Sequence, residues 1–238
     1  MSTKTFGSLF AGFGGLDRGL ERAGLKCRCQ VENNEYANRV LAKHWPNVKR
    51  YGDIREQHEL DPVDVVAGGF PCTDISDAGL CSGLAGAASG LWREMVRTVR
   101  MVRPKHTLVE NVAAIAHRGM GEVLGDVAEF GHDAEWDRIP AIAFGARHIR
   151  DRMFIVTTAR SVDNPNCFDP GRFRGQATAY RRWTENTPIR SCFDGGAWAR
   201  EPGVARVAYG IRHRVDRLIG LGNAVFPPVA EWIGRGLL

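Results

Sequence analysis

The residues of this 238-residue chain best suited to chemistry are a thiol, two carboxylates and a cationic run. Cys72 follows Gly68-Gly69-Phe70-Pro71, and Val63, Val65, Val66 and Ala67 just upstream read as a short buried strand. Pro71 fixes the backbone at the turn and presents Cys72 at the carboxyl end of that strand, where open α/β sheets take their ligands. A cysteine in this setting is a candidate nucleophile, whereas an isolated cysteine elsewhere is more often packing. A second strand, Thr107-Leu108-Val109, delivers Glu110-Asn111 to the same sheet edge. Arg147-His148-Ile149-Arg150-Asp151-Arg152 lies between two further strands, about 134–139 and 153–157.

The elements that must position these groups begin with a strand from about Thr5 to Phe10, the loop Ala11-Gly12-Phe13-Gly14-Gly15, and a helix. Leu16, Gly19, Leu20 and Ala23 recur at helical spacing, and Gly24 closes the helix. A glycine loop between strand and helix admits a ligand close to the backbone. Asp17 stands where a dinucleotide fingerprint wants its third glycine, and an acid there sits badly beside a pyrophosphate. It tolerates a ligand without phosphates, such as S-adenosylmethionine, whose sulfonium is cationic. The strand at about Cys29–Val31 ends in Glu32, twenty residues after Gly12, where a Rossmann-like sheet places the acid that accepts ribose hydroxyls. Ala37, Val40 and Leu41 give the next helix, and Asp53, in the turn Gly52-Asp53-Ile54, could accept from an adenine amino group or simply shape the turn. Small residues from Ala78 to Gly90 suit a mobile lid. Helices follow at Leu91–Val102, Val123–Ala128 and, after Pro227-Pro228, Val229–Leu237.

This strand–helix alternation predicts an α/β fold with one doubly wound sheet, and the length supports a single such domain with a real core. A net charge of +5 with pI about 9.0 leans mildly toward polyanionic partners. Cys27, Cys29, Cys72, Cys81, Cys167 and Cys192 form no C-x-x-C pair or metal-ligand spacing, which fits a reducing cytoplasm and no metal. No signal peptide or bilayer-length apolar run is evident. The alternation lapses after about Ser161. Residues 163–206 carry seven Arg against five acids, interleaved with Phe168, Phe173, Tyr180, Trp183, Phe193 and Trp198. That composition suits either a nucleic-acid-reading insert or an irregular surface excursion. The expected organisation is a catalytic and cofactor-binding domain at 1–162, a short insert at 163–206, and a segment at 207–238 returning to the first.

With these residues in place, the chain resembles the DNA (cytosine-5)-methyltransferases, particularly their compact prokaryotic and phage-borne forms, over about residues 5–160 and 203–238. Phe10-Ala11-Gly12-Phe13-Gly14-Gly15 looks like the family's cofactor loop, Glu32 its ribose acid and Asp53 its adenine contact. Pro71-Cys72 looks like its nucleophile pair and Glu110-Asn111-Val112 its base-holding motif. His148-x-Arg150-x-Arg152 resembles its Gln-x-Arg-x-Arg motif, and Gly222-Asn223-Ala224-Val225 the late motif lining the cofactor pocket. Thr73, His148 and Asn33 depart from the family's usual Gln, Gln and apolar residue. The family's target-recognition region falls where residues 163–206 stand here, and this insert is short for the family.

The resemblance implies a Rossmann-like S-adenosylmethionine-dependent methyltransferase fold with a small irregular recognition insert. It implies methyl transfer to C5 of a flipped-out cytosine in double-stranded DNA, of the kind used in restriction–modification, through a covalent adduct between Cys72 and C6. Cys72, Glu110, Arg150 and Arg152 would be catalytic; Phe10, Gly12, Gly14, Gly15, Glu32, Asn33, Asp53, Ile54, Pro71, Asn223 and Ala224 would hold the cofactor. The chain is expected to act as a monomer without an obligate protein partner, in the cytoplasm of a bacterial or phage-infected cell. Alternative readings are an RNA cytosine-5 methyltransferase of the same fold and a non-catalytic DNA-binding paralogue. A nicotinamide oxidoreductase is disfavoured by Asp17 and leaves Pro71-Cys72 without a role.

Overall fold

Short apolar runs punctuated by glycine and proline become the strands of a seven-stranded sheet in the computed structural model, which describes residues 3–71, 89–160 and 213–238. In chain order the strands are β1 (Thr5–Leu9), β2 (Lys26–Val31), β3 (Lys49–Tyr51), β4 (Val65–Gly68), β5 (His106–Val112), β6 (His132–Pro140) and β7 (Asp151–Ala159). Across the sheet they lie β3-β2-β1-β4-β5-β7-β6. The first five pair in parallel, and β7 runs antiparallel between β5 and β6. The chain moves outward from β1 through β2 and β3, then returns to the other side of β1 with β4. The switch point of the sheet therefore lies between β1 and β4, the place where open α/β folds bind ligands.

Helices cover both faces: α1 (Gly15–Ala23), α2 (Glu35–His44), α3 (Ser89–Val102), the single turn α4 (Ile115–Arg118), α5 (Met120–Glu129), α6 (Arg214–Asn223) and α7 (Pro227–Leu237). Short 3-10 turns stand at Ile54–Glu56 and Ala141–Phe144. The two-residue period of the strands divides the core. Val65, Ala67, Leu108 and Phe154 pack on one face with Leu16 and Leu20 of α1 and Val229 and Ile233 of α7. Val66, Val109 and Ile155 pack on the other with Trp92, Met95 and Val99 of α3 and Val123 and Val127 of α5. Burial on both faces is why the central strands read as unbroken apolar runs rather than as alternation.

Helix ends follow local chemistry. Gly14 begins α1 in the left-handed region (φ 74°), and Gly24 ends it there (φ 107°), donating its N–H to Leu20 and Glu21 carbonyls. The Asn34 side chain caps α2 by accepting from Ala37 N–H at 2.9 Å. A side chain at Gly19 would overlap Ala230 and Pro227, so glycine there lets α1 and α7 touch backbone to backbone.

The structure departs from the sequence expectation in several elements. β2 begins at Lys26 rather than Cys29, because exposed Lys26 and Arg28 alternate with buried Cys27 and Cys29. β3 has no apolar run to announce it; it pairs along the sheet edge through Lys49-Arg50-Tyr51. Ser89 and Gly90, expected at the end of a lid, are the first turn of α3, and the rest of that stretch lies outside the described residues, as does 163–206. Among the described residues no helix is long and apolar enough to cross a membrane, and no group of His, Cys, Asp and Glu is arranged to hold a metal.

Candidate active site

The carboxyl ends of β1, β2, β4 and β5 and the start of antiparallel β7 meet around a cavity of about 320 Å³. Phe10, Gly12, Gly15, Glu32, Asn33, Pro71, Asn223 and Ala224, all expected to bind a cofactor, line it, together with Glu110 and Arg152. Cys72 lies outside the described residues; Pro71, its neighbour in sequence, is at the cavity wall and exposed.

Glu32 is fixed where β2 leaves the sheet. One carboxylate oxygen accepts the Gly12 N–H at 2.7 Å, and the other accepts the Asn34 N–H at 2.8 Å. The Gly12 bond closes the glycine loop onto β2, and Gly12 itself stands in the left-handed region (φ 55°) that glycine adopts readily. Each carboxylate oxygen keeps a further lone pair, so Glu32 can still accept from vicinal hydroxyls of a sugar.

Across the cavity, Glu110 is buried at the end of β5, and Arg152 Nε stands 3.0 Å from its Oε1. The two charges pair, but no donor is aligned on Oε1 for a hydrogen bond. Burial pushes the Glu110 carboxyl above the usual carboxylate range, while Arg152 and then Arg150 pull it back. A buried carboxyl on a cavity wall can donate to a polar ring when protonated and accept from one when ionised. A side chain at Gly69 would meet Glu110 Oε2 at 2.6 Å, so glycine there lets β4 close against the acid. Asn111, next along β5, donates from Nδ2 to the Phe70 carbonyl at 3.2 Å and accepts the Val112 N–H on Oδ1 at 2.8 Å. It thereby ties the backbone entering Pro71 to β5.

The C-terminal segment completes the wall. Gly15 packs against the Val225 backbone, and Gly220 of α6 packs against the Phe13 ring, each where a side chain would overlap. Arg150 Nη1 donates to the Gly222 carbonyl at 2.9 Å, holding the end of α6 to the start of β7. Arg150 thus supports the wall and does not itself line the cavity. His148 meets Phe226 edge-on, with ring centroids 5.9 Å apart.

Three other expected cofactor contacts stand off the cavity wall. Gly14 faces Trp45, Ile54 is buried in the core beside Tyr51, and Asp53 is turned to Arg55. The ion pair with Arg55 holds the Asp53 carboxyl at about 2. Asp17, expected beside the loop, points into the sheet instead. Its carboxylate accepts from Ser8 Oγ at 2.5 Å and Gln30 Nε2 at 2.7 Å. Phe13, Ser8, Gly220 and Val225 line the cavity without having been singled out, as does Asn111, which was named only beside Glu110. Phe13 and Val225 lay within recognised motifs, whereas Gly220 carries no signal of its own.

The family model for C-5 cytosine-specific DNA methylase matches residues 4–191. The type II methyltransferase M2.BsuMI of Bacillus subtilis is 33% identical over 159 residues, covering 63% of this chain and 41% of that protein. The type II methyltransferase M.CviJI of Paramecium bursaria Chlorella virus IL3A is 29% identical over 167 residues, 68% of this chain and 45% of its own length. The chain therefore spans less than half the length of these relatives. Entamoeba histolytica methyltransferase EhMeth superposes with a TM-score of 0.58 at 15% identity, over 69% of this chain and 55% of that one, and so shares the Rossmann-like fold.

Proposed function

The chain belongs to the C-5 cytosine-specific DNA methylase family, and from that membership we propose that it methylates C5 of a cytosine flipped out of duplex DNA, using S-adenosylmethionine and a covalent Cys72–C6 adduct. The observation that carries this reading is one cavity with an acid at the end of β2, Glu32, on one side and a buried acid paired to a guanidinium, Glu110 with Arg152, on the other. Pro71, one residue before the thiol, lies on its wall.

The residues fit the cofactor. Glu32 has lone pairs free for ribose hydroxyls, the glycine loop gives close backbone approach, and Asn223 and Ala224 close the far wall. Bound there, S-adenosylmethionine supplies an electrophilic methyl group.

C5 of cytosine is a poor nucleophile, so the protein must activate it. Addition of the Cys72 thiolate to C6 would make the ring an enamine nucleophilic at C5, able to take the donor's methyl group as the S–CH3 bond breaks and the sulfur leaves as a neutral thioether. Charge that would build at N3 is met by Glu110, whose burial favours the protonated, hydrogen-bond-donating form. Arg152 would hold the base at O2 and favour the thiolate. Loss of the C5 proton to a base or water would then restore the C5–C6 double bond and expel the Cys72 thiolate. C6 is shielded in stacked DNA, so the base must leave the duplex, and residues 163–206 would choose which cytosine does so. In this reading the chain works as a monomer.

The test is methylation mapping of DNA from cells expressing the chain, beside transfer of labelled methyl groups to duplex DNA and to transfer RNA in vitro. Methylated C5 at a short recurrent DNA sequence supports the proposal. Labelling of RNA alone would move the substrate, and labelling of neither would refute the activity.

A further inference from the structure

We infer that Tyr36 and His213 are positioning residues for the cofactor: their stacked rings brace Phe13 and hold α6 as one wall of the cavity. The inference rests on the proposed use of S-adenosylmethionine and assigns part of its binding to two residues outside the motifs named above.

Phe13 belongs to the glycine loop and lines the cavity, half-buried. It follows Gly12, whose N–H Glu32 accepts at 2.7 Å, which puts Phe13 at the Glu32 end of the cavity. A ribose held by Glu32 would carry its base at that same end. Asn33, on the wall beside Glu32, is an amide where the resemblance leads one to expect an apolar side chain. The Phe13 ring offers apolar surface there instead, and what fixes that ring bears on how a base is held.

Two helices hold it. Gly220 of α6 packs so closely that any side chain there would overlap the ring. Tyr36, in the first turn of α2, stands against it with ring centroids 5.8 Å apart and planes at 58°. His213 extends the stack from the start of α6, its ring 5.1 Å from Tyr36 at 35°. The Arg39 guanidinium lies 5.6 Å from the Tyr36 centroid. His213 itself holds the left-handed region (φ 57°), which few residues with a side chain adopt, and its Nδ1 is 3.3 Å from Asp216 Oδ2. Asp216, Gly220 and Asn223 all line the cavity and recur at i, i+4 and i+7, so α6 turns one face to it. The glycine loop, α2 and α6 are thus joined through three rings. Removing the Tyr36 ring would release Phe13 and part His213 from α2, loosening this wall without touching Glu32 or Glu110.

The experiment measures dissociation constants of S-adenosylmethionine and S-adenosylhomocysteine, with cofactor KM and kcat for methyl transfer to a mapped DNA target. It compares the full chain with Tyr36→Ala, Tyr36→Phe, His213→Ala and the double variant Tyr36→Ala/His213→Ala, using thermal melting to verify folding. An aromatic pair of this kind is worth about twofold to tenfold in an equilibrium. Tyr36→Ala should raise KM and both dissociation constants by that factor, because both ligands carry the base, and should leave kcat at saturating cofactor unchanged. Tyr36→Phe keeps the ring and should match wild type. The double variant should bind no more weakly than Tyr36→Ala, since His213 acts through Tyr36. Normal affinity in folded Tyr36→Ala overturns the inference, as does a kcat loss as large as the KM rise, an equal loss in Tyr36→Phe, or losses that add in the double variant. If Tyr36→Ala does not fold, exposed His213 gives the same test: His213→Ala should weaken both ligands and His213→Phe should restore them, and unchanged binding in His213→Ala overturns the inference. Wild type binding neither ligand would instead defeat the cofactor assignment on which it rests.

Discussion

Asn111→Ala isolates how the strand before Pro71 is held. The Asn111 amide is 2% exposed and makes two bonds, one to the Phe70 carbonyl at 3.2 Å and one from the Val112 N–H at 2.8 Å. Truncation strands both backbone groups where water reaches them poorly, and each such group costs about 1–3 kcal/mol. The longer Phe70 contact belongs near the low end of that range, giving a total of about 2–4 kcal/mol. Asn111→Asp keeps the size but turns an acceptor toward the Phe70 carbonyl, immediately beside Glu110, and should cost at least as much. Urea denaturation at unchanged m-value measures the stability, and cofactor titration with methyl-transfer turnover measures the site. Turnover should fall more than cofactor affinity, since Glu32 and the glycine loop are untouched. A loss under about 0.5 kcal/mol with normal turnover would refute the claim that this amide holds the approach to Cys72.

Other outcomes follow from neighbouring contacts. Glu32→Ala should weaken S-adenosylmethionine binding by about 1–3 kcal/mol in calorimetric titration, whereas Cys72→Ala should leave it nearly unchanged. Gly15→Ala should lower the melting temperature and cofactor affinity together, because its methyl group displaces the Val225 backbone that forms the opposite wall. His132 is buried beside Thr157, and its pKa is lowered from 6.5 to about 4 by desolvation. The unfolded chain takes up that proton first, so its contribution is full above about pH 6.5 and is lost toward pH 4, by at most about 3 kcal/mol. Asp17 acts in the opposite sense: its pKa is raised from 3.8 to about 6, so the folded state gains stability as pH falls through that window. Denaturation between pH 4 and 7 should therefore show His132→Asn less acid-sensitive than wild type and Asp17→Asn more so; the reverse ordering would contradict both assignments.

The sheet was legible because its central strands are buried on both faces, which leaves Val65-Val66-Ala67 and Thr107-Leu108-Val109 as continuous apolar segments next to turn residues. β3 was not, because an edge strand of Lys49-Arg50-Tyr51 is specified by pairing with β2 rather than by its own pattern. Glu32 could be placed by its distance from Gly12, since that spacing is one strand–helix–strand unit, and the structure joins the two by a hydrogen bond. Asp17 could not be oriented from sequence. Position in the first turn of α1 suggested the ligand loop, but helical side chains lean back toward the N-terminus, here onto β1 and β2. Asp53 lost its apparent freedom to Arg55, two residues on, whose guanidinium competes for the same carboxylate. The contacts of Phe13 with Gly220 and of Gly15 with Val225 join segments about two hundred residues apart, and no local pattern encodes them.

The central claim, nucleophilic attack by Cys72 on C6 of a flipped cytosine, is tested most directly by covalent capture. Fluorine at C5 cannot leave as a cation, so methyl transfer to a fluorinated target cytosine should proceed and elimination should then stall. A duplex carrying that base at a mapped target site should form a protein–DNA adduct that survives denaturing electrophoresis, requires S-adenosylmethionine and maps to Cys72. Cys72→Ser should form none, since a serine hydroxyl lacks the low pKa of a thiol and has no dedicated base. An adduct on Cys81 or another cysteine, or no adduct at a site the wild-type chain methylates, would contradict the account.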